Sequence, residues 1–208
     1  MNLLGAIGTL MEGTGLTNIL EVVYGENAVV HMMTGKSVQR AFRGHLLVDK
    51  CLHQLIVDSV VADNTEFESL IDDVEEMYSS LLKDDITLAS LVTSPTVASV
   101  SKELETQKSK IRAQSKTSQL WLGYQQMLGV ARELIKADRT ASWLSHLRAV
   151  ADALPIFAAA GHYNYLKCGY FYIQEMNQLE TKHPEVYMKF QDGYHVIRGL
   201  GCDLVIEV

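Results

Sequence analysis

A mainly α, multi-helix globular bundle with a small C-terminal β-hairpin is the fold this sequence predicts. Three observations lead there: long runs carry apolar residues at helical spacing, only three prolines interrupt 208 residues, and turn residues are thin between the runs. At 48% apolar and 21% charged the chain is ordinary globular material. It is long enough to bury roughly 70% of its unfolded surface. One helical domain over 1–208 is expected, with 63–116 as a variable, charged, partly exposed segment inside it.

Taken in order, Leu3 to Met11 reads as a helix broken by Gly13 and Gly15. Leu16 to Tyr24 is a second, stopped by Gly25, and Asn27 to Met33 a third, with Gly35 as its C-cap. Ser37 caps a long helix to about Ala62 that is apolar on several sides, through Val38, Phe42, Leu46, Leu47, Val48, Cys51, Leu55, Ile56 and Val60. Such a helix is expected to be central. Thr65 to Lys83 is amphipathic, with Phe67, Leu70, Ile71, Val74, Met77, Tyr78 and Leu81 inward and its acids outward. A short helix covers Ile86 to Val92, and Ser94-Pro95 opens a polar helix reaching Lys116. That helix has too few apolar positions to bury a face and is expected to be exposed or mobile. Gln119 to Lys136 is again amphipathic.

Arg139 to Met176 reads as a helical hairpin. Trp143, Leu147, Val150 and Leu154 form one stripe, with Thr140 or Ser142 as N-cap. Pro155 lacks a backbone donor and should end or kink the first helix. The Ala158 to Gly161 elbow has so little bulk that another backbone can approach it, and a second helix runs from about Asn164 to Leu179. His183-Pro184 begins a short helix to Phe190. Tyr194 to Ile197 and Leu204 to Ile206, joined through Gly199 and Gly201, make the β-hairpin.

No apolar run approaches the roughly 20 residues of a membrane span. The opening MNLLGAIGTLMEG lacks the basic n-region of a signal peptide. Cys51, Cys168 and Cys202 are far apart and odd in number, which suits free thiols in an intracellular, reducing compartment. Both ends open in apolar patterns without polar tails, so the chain is expected to be a segment of a longer protein. Its partner would then be the remainder of that chain or another protein. The net charge of −7 is uneven: Asp63 to Asp85 holds nine acids against Lys83 alone. Lys102 to Lys116 holds five bases against Glu103 and Glu105. The two segments can face each other in the fold, or the basic strip can meet a nucleic-acid backbone.

Several constellations can carry chemistry. His45, Asp49 and His53 share a helix face at i, i+4 and i+8, and imidazole with carboxylate is a zinc or iron ligand set. The outer pair is about 12 Å apart along the axis, so adjacent pairs would need ligands from elsewhere. The competing reading has Asp49 accepting a hydrogen bond from one histidine. GKSVQR, Gly35 to Arg40, has the GK-Ser order of a phosphate loop but not its upstream glycine. Arg40 and Arg43 are accordingly read as surface or ion-pair residues. His162, Tyr163, Asn164 and Tyr165 put polar groups at the elbow, either as a small hydrogen-bonding site or as local capping. Asp203 and Glu207 bracket a strand end, where two carboxylates can hold magnesium or simply meet solvent.

The stretches MNLLGAIGTLMEGTGL, VVHMMTGKSVQRAFRGHLLVD, ADRTASWLSHLRAVADALPIFAAAGHYNYLKCGYFYIQEM, HPEVYMKFQDGYHVIRG and CDLVIEV together resemble a family of long proteins present in many copies in invertebrate genomes. The family brings no established activity to transfer. Its multicopy habit implies a mobile-element origin and a transposase-like enzyme with an RNase H-like core, of which this chain resembles a central helical region. A nuclear location would follow. The chain departs from the family where a longer connection is cut to Gly199-Leu200-Gly201, which puts the role of Asp203 in doubt. Two functions are expected. One is a non-catalytic helical segment of a mobile-element-derived protein, supporting or interacting, without a cofactor. The alternative is part of a metal-dependent nucleic-acid-processing enzyme, using a divalent metal with Asp203 and Glu207 as catalytic carboxylates and His45, Asp49 and His53 as metal ligands.

Overall fold

The structure is a computed structural model and describes residues 2–196. Among the described residues there are twelve helices: α1 (Leu3–Leu10), α2 (Leu16–Tyr24), α3 (Glu26–Met33), α4 (Val38–Asp63), α5 (Glu66–Leu82), α6 (Leu88–Val92), α7 (Pro95–Gln114), α8 (Lys116–Thr140), α9 (Trp143–Ala159), α10 (Tyr163–Asn177), α11 (Leu179–Lys182) and α12 (Pro184–Gln191). No strand occurs among the described residues. The all-α bundle expected from periodicity is the observed fold. Of the expected β-hairpin, Tyr194 to Val196 is turn and bend, because the chain there closes back on α12: Tyr194 N–H donates to the Lys189 carbonyl at 3.0 Å. Leu204 to Ile206 lies outside the described residues.

The chain forms two compact units. The first combines the described residues up to Leu47 with those from Tyr124 onward, and the second is Val48–Gly123. In the first unit α9 packs against α10, α1 against α3 and α9, and α12 against α9 and α11. Ile7, Met11, Leu16, Leu20, Trp143 and Phe157 are all essentially inaccessible. In the second unit α5 packs against α6 and α7, over a thinner core of Val48, Ile56, Val60, Phe67 and Leu122.

The first unit's N-terminal part is tied by local chemistry. Asn2 caps α1, its Oδ1 accepting from Gly5 N–H at 2.8 Å, while its Nδ2 donates to the Thr34 carbonyl at 2.9 Å. Gly35 takes the left-handed conformation (φ 72°) that a Schellman ending requires. Gly35 N–H donates to the Met32 carbonyl and Lys36 N–H to the His31 carbonyl. The close approach of helices comes at Gly8, where a side-chain carbon would collide with the Met33 carbonyl oxygen. It does not come at the elbow: nothing lies within 4 Å of where a Gly161 side chain would begin.

Other expectations need revising. Helix α9 runs through Pro155 to Ala159, because the next residues, Ile156 and Phe157, are buried and continuing the helix keeps them in the core. Ser142 is the N-cap of α9 but bonds Ser145 Oγ instead of a backbone N–H, and Thr140 belongs to α8. Helix α10 stops at Asn177, and Leu179 opens α11. Helix α4 is buried along a single seam. Ala41, His45, Val48, Asp49, Ile56 and Val60 are buried, while Leu47, Leu55 and Cys51 are exposed. The polar α7 is mostly exposed, as its composition predicts, except that Gln107 is buried.

Candidate functional site

The densest polar and aromatic cluster in the first unit forms where α8 hands over to α9. The junction is tight, with Ala141 in the left-handed region at φ 53°. It sets Asp138, from the last turns of α8, against His146 in the first turn and a half of α9. His146 Nδ1 lies 2.7 Å from Asp138 Oδ1, and Tyr172 of α10 places its hydroxyl 3.3 Å from His146 Nε2. Rings fill the space around this line. Trp143 stacks on His146 at a centroid distance of 5.9 Å and meets Phe190 edge-on at 4.8 Å. His195 lies 5.0 Å from Trp143 and 5.7 Å from His146. The Phe190 carbonyl accepts from His195 Nδ1 at 3.1 Å. Among the described residues, that leaves His195 Nε2 and Trp143 Nε1 buried without hydrogen-bond partners.

A carboxylate, an imidazole and a hydroxyl in line is the wiring of a base-activated nucleophile. The electrostatics here run the other way. Burial first, and then the Asp138 charge, push the Tyr172 phenol up to about 12, so it keeps its proton. With His146 neutral, its Nδ1–H donates to Asp138 and its Nε2 accepts from the phenol. Burial draws His195 below the ordinary imidazole range, with His146 acting in the same direction; the Phe190 carbonyl and Asp138 oppose it. The line of Asp138, His146 and Tyr172 ties α8, α9 and α10 together.

The residues singled out in the sequence separate. His45 is fully buried in the first unit, its Nδ1 2.8 Å from the Tyr124 hydroxyl of α8. Burial lowers its pKa to about 4. Asp49 and His53 pair with each other in the second unit: His53 Nδ1 is 2.9 Å from the Asp49 carbonyl and 3.3 Å from its carboxylate. The three therefore do not converge, and among the described residues no group of three His, Cys, Asp or Glu side chains is placed to hold a metal ion. Asp203 and Glu207 lie outside the described residues. At the elbow, His162 is the N-cap residue of α10 but makes no side-chain cap bond. Its ring stacks on Phe157 at 6.4 Å, and Tyr163 points to solvent. Arg40 and Arg43 are exposed.

Sequence reasoning missed Asp138, His146, Tyr172 and His195. Their separations follow no ligand or triad motif, because a helix junction and two inter-helix packings bring them together. The one local signal was an acid near the end of α8 and a histidine soon after the break.

The family model described as Domain of unknown function (DUF8702) matches residues 1–207. The chain belongs to that family. Neither a curated protein nor a solved structure matches it. Among the described residues no helix is long and apolar enough to cross a membrane.

Proposed function

We propose that this chain is a non-catalytic helical segment of a mobile-element-derived protein that acts as a support and interaction surface. The observation that carries the reading is apolar surface left bare on α2 and α3. Ile19, Val22 and Val23 fall at i, i+3 and i+4 on one side of α2, and Val22 is 88% exposed. Val30 is exposed on α3, which packs against α2. Grouped exposed apolar side chains mark interaction surfaces. The raised phenol of Tyr172 also supports a structural polar line in place of a nucleophile. The mobile-element origin draws on the resemblance of the quoted stretches, and with it an intracellular, nuclear location. Cross-linking mass spectrometry of the tagged chain in cells that express it tests the reading. Cross-links should gather on α2 and α3 and vanish in the V22E/V23E double variant; an unchanged pattern would overturn it.

The alternative is part of a metal-dependent nucleic-acid-processing enzyme. It has less support, since His45 spends Nδ1 on Tyr124 and His53 spends Nδ1 on Asp49. DNA cleavage by the full chain in magnesium or manganese, lost in D49A, would put it first.

A further inference from the structure

The second unit carries a groove of about 430 Å³ between α4 and α5. Val57, Val61 and Ile71 form its apolar lining, and Asp58, Glu68 and Asp72 stand with them. Helix α5 extends this surface. Ile71, Tyr78 and Leu82 lie at i, i+7 and i+11, one stripe, with Tyr78 54% and Leu82 69% exposed. Glu68, Asp72 and Glu75, at i, i+4 and i+7, run beside that stripe as a row of exposed carboxylates. From Glu68 to Leu82 the surface extends about 21 Å at 1.5 Å per residue.

Among the described residues none of these acids is held in an ion pair. Helix α5 contains six acids and no Lys or Arg, so no ion pair can form along it. The basic helix α7 does pack on α5, yet among the described residues its Lys108 pairs with Glu105 of its own helix at 2.7 Å. None of Asp58, Glu68 and Asp72 joins an ion pair among the described residues, and Asp58 accepts only from Gln54 Nε2 at 2.8 Å. A phosphate backbone would be repelled here. A helix with apolar residues on one stripe and Lys or Arg on the next matches both features at once.

We infer that the α4–α5 groove binds a basic amphipathic helix of a partner protein, its apolar stripe on Val57, Val61 and Ile71 and its cations against Asp58, Glu68, Asp72 and Glu75. The inference rests on the interaction reading above and names the partner's chemistry. It is tested by fluorescence anisotropy of the full chain with a labelled Lys/Leu amphipathic peptide of about 18 residues, long enough for a helix of this span. A scrambled peptide of the same composition is the comparison. The amphipathic peptide should bind at least about tenfold more tightly than the scrambled one. The D58K/E68K/D72K triple variant and I71S should each weaken it about tenfold or more. The single exposed change E75K is the second variant if circular dichroism shows the triple variant misfolded; it should weaken binding several-fold. Equal affinity for the scrambled peptide would overturn the inference, as would full binding to the triple variant or, failing that, to E75K. V22E/V23E should leave peptide binding unchanged. Loss of the groove result with persistent α2–α3 cross-links therefore removes this inference alone.

Discussion

Trp143 and Gln107 hold comparable places in the two units, each a nearly inaccessible side chain around which neighbours gather. Trp143 is a ring among rings, touching His146, Phe190 and His195. Gln107 is an amide among polar groups, its Nε2 donating to Ser59 Oγ at 2.7 Å and Asp63 Oδ2 at 3.2 Å. The first unit is thus organised by apolar burial, which is large in energy and insensitive to exact geometry. The second has fewer buried apolar side chains and relies on α7 being tied to α4 through one amide. Net stability per buried hydrogen bond is small, so the second unit should open first.

The hardest way to break the comparison is Trp143→Ala. It should cost about 3–5 kcal/mol, read as a fall in the urea midpoint followed on the first unit. A loss under about 1 kcal/mol would mean that the ring cluster does not organise that unit. The next largest effect is pH. His45 has a folded pKa of about 4 against an ordinary 6.5, so its neutral form is the one the fold accepts. The associated stability is fully present above pH 6.5 and is lost progressively as pH falls through the folded value, about 3 kcal/mol in all. Urea midpoints at pH 7 and pH 4.5 check this, and H45F should flatten the difference. His195, also lowered, works with the same sign.

Gln107→Ala sharpens the contrast at smaller scale. It should cost about 1–2 kcal/mol and leave Asp63 and Ser59 without their donor. Hydrogen exchange should quicken along α7 and the second half of α4 while α9 stays protected; uniform quickening would show that the units do not open separately. Tyr172→Phe is the mildest change, about 0.5–1.5 kcal/mol, because it removes one long hydrogen bond and keeps the ring contact with His146. A loss well above that would raise the polar line from clamp to organiser.

Most helices were legible because their evidence is local. The ends of α2 coincide with the periodic run Leu16 to Tyr24, and Ser94 with Pro95 opens α7 as capping chemistry dictates: Ser94 Oγ accepts from Thr96 N–H at 3.2 Å. Of the two outcomes expected at Pro155, an end or a kink, the end does not occur: the buried Ile156 and Phe157 beyond it outweigh one lost hydrogen bond and α9 continues. Helix α4 misled because a count of its apolar residues suggested burial on several sides, when His45 and Asp49 occupy the buried seam and Leu55 faces out. The polar cluster was barely legible: beyond an acid near the end of α8 and a histidine soon after it, nothing local marks it, since Asp138, His146 and Tyr172 sit on three different helices.

By itself the sequence determined the helical class, nearly every helix, and the placement of acid on one face of α5. These depend on hydrogen bonds and periodicities spanning only a few residues. Tertiary structure alone decided that the chain divides into two units, that His45 turns to Tyr124 while His53 turns to Asp49, and that a carboxylate, an imidazole and a phenol align. Those outcomes depend on which distant surfaces exclude water together, and no spacing along the chain encodes that.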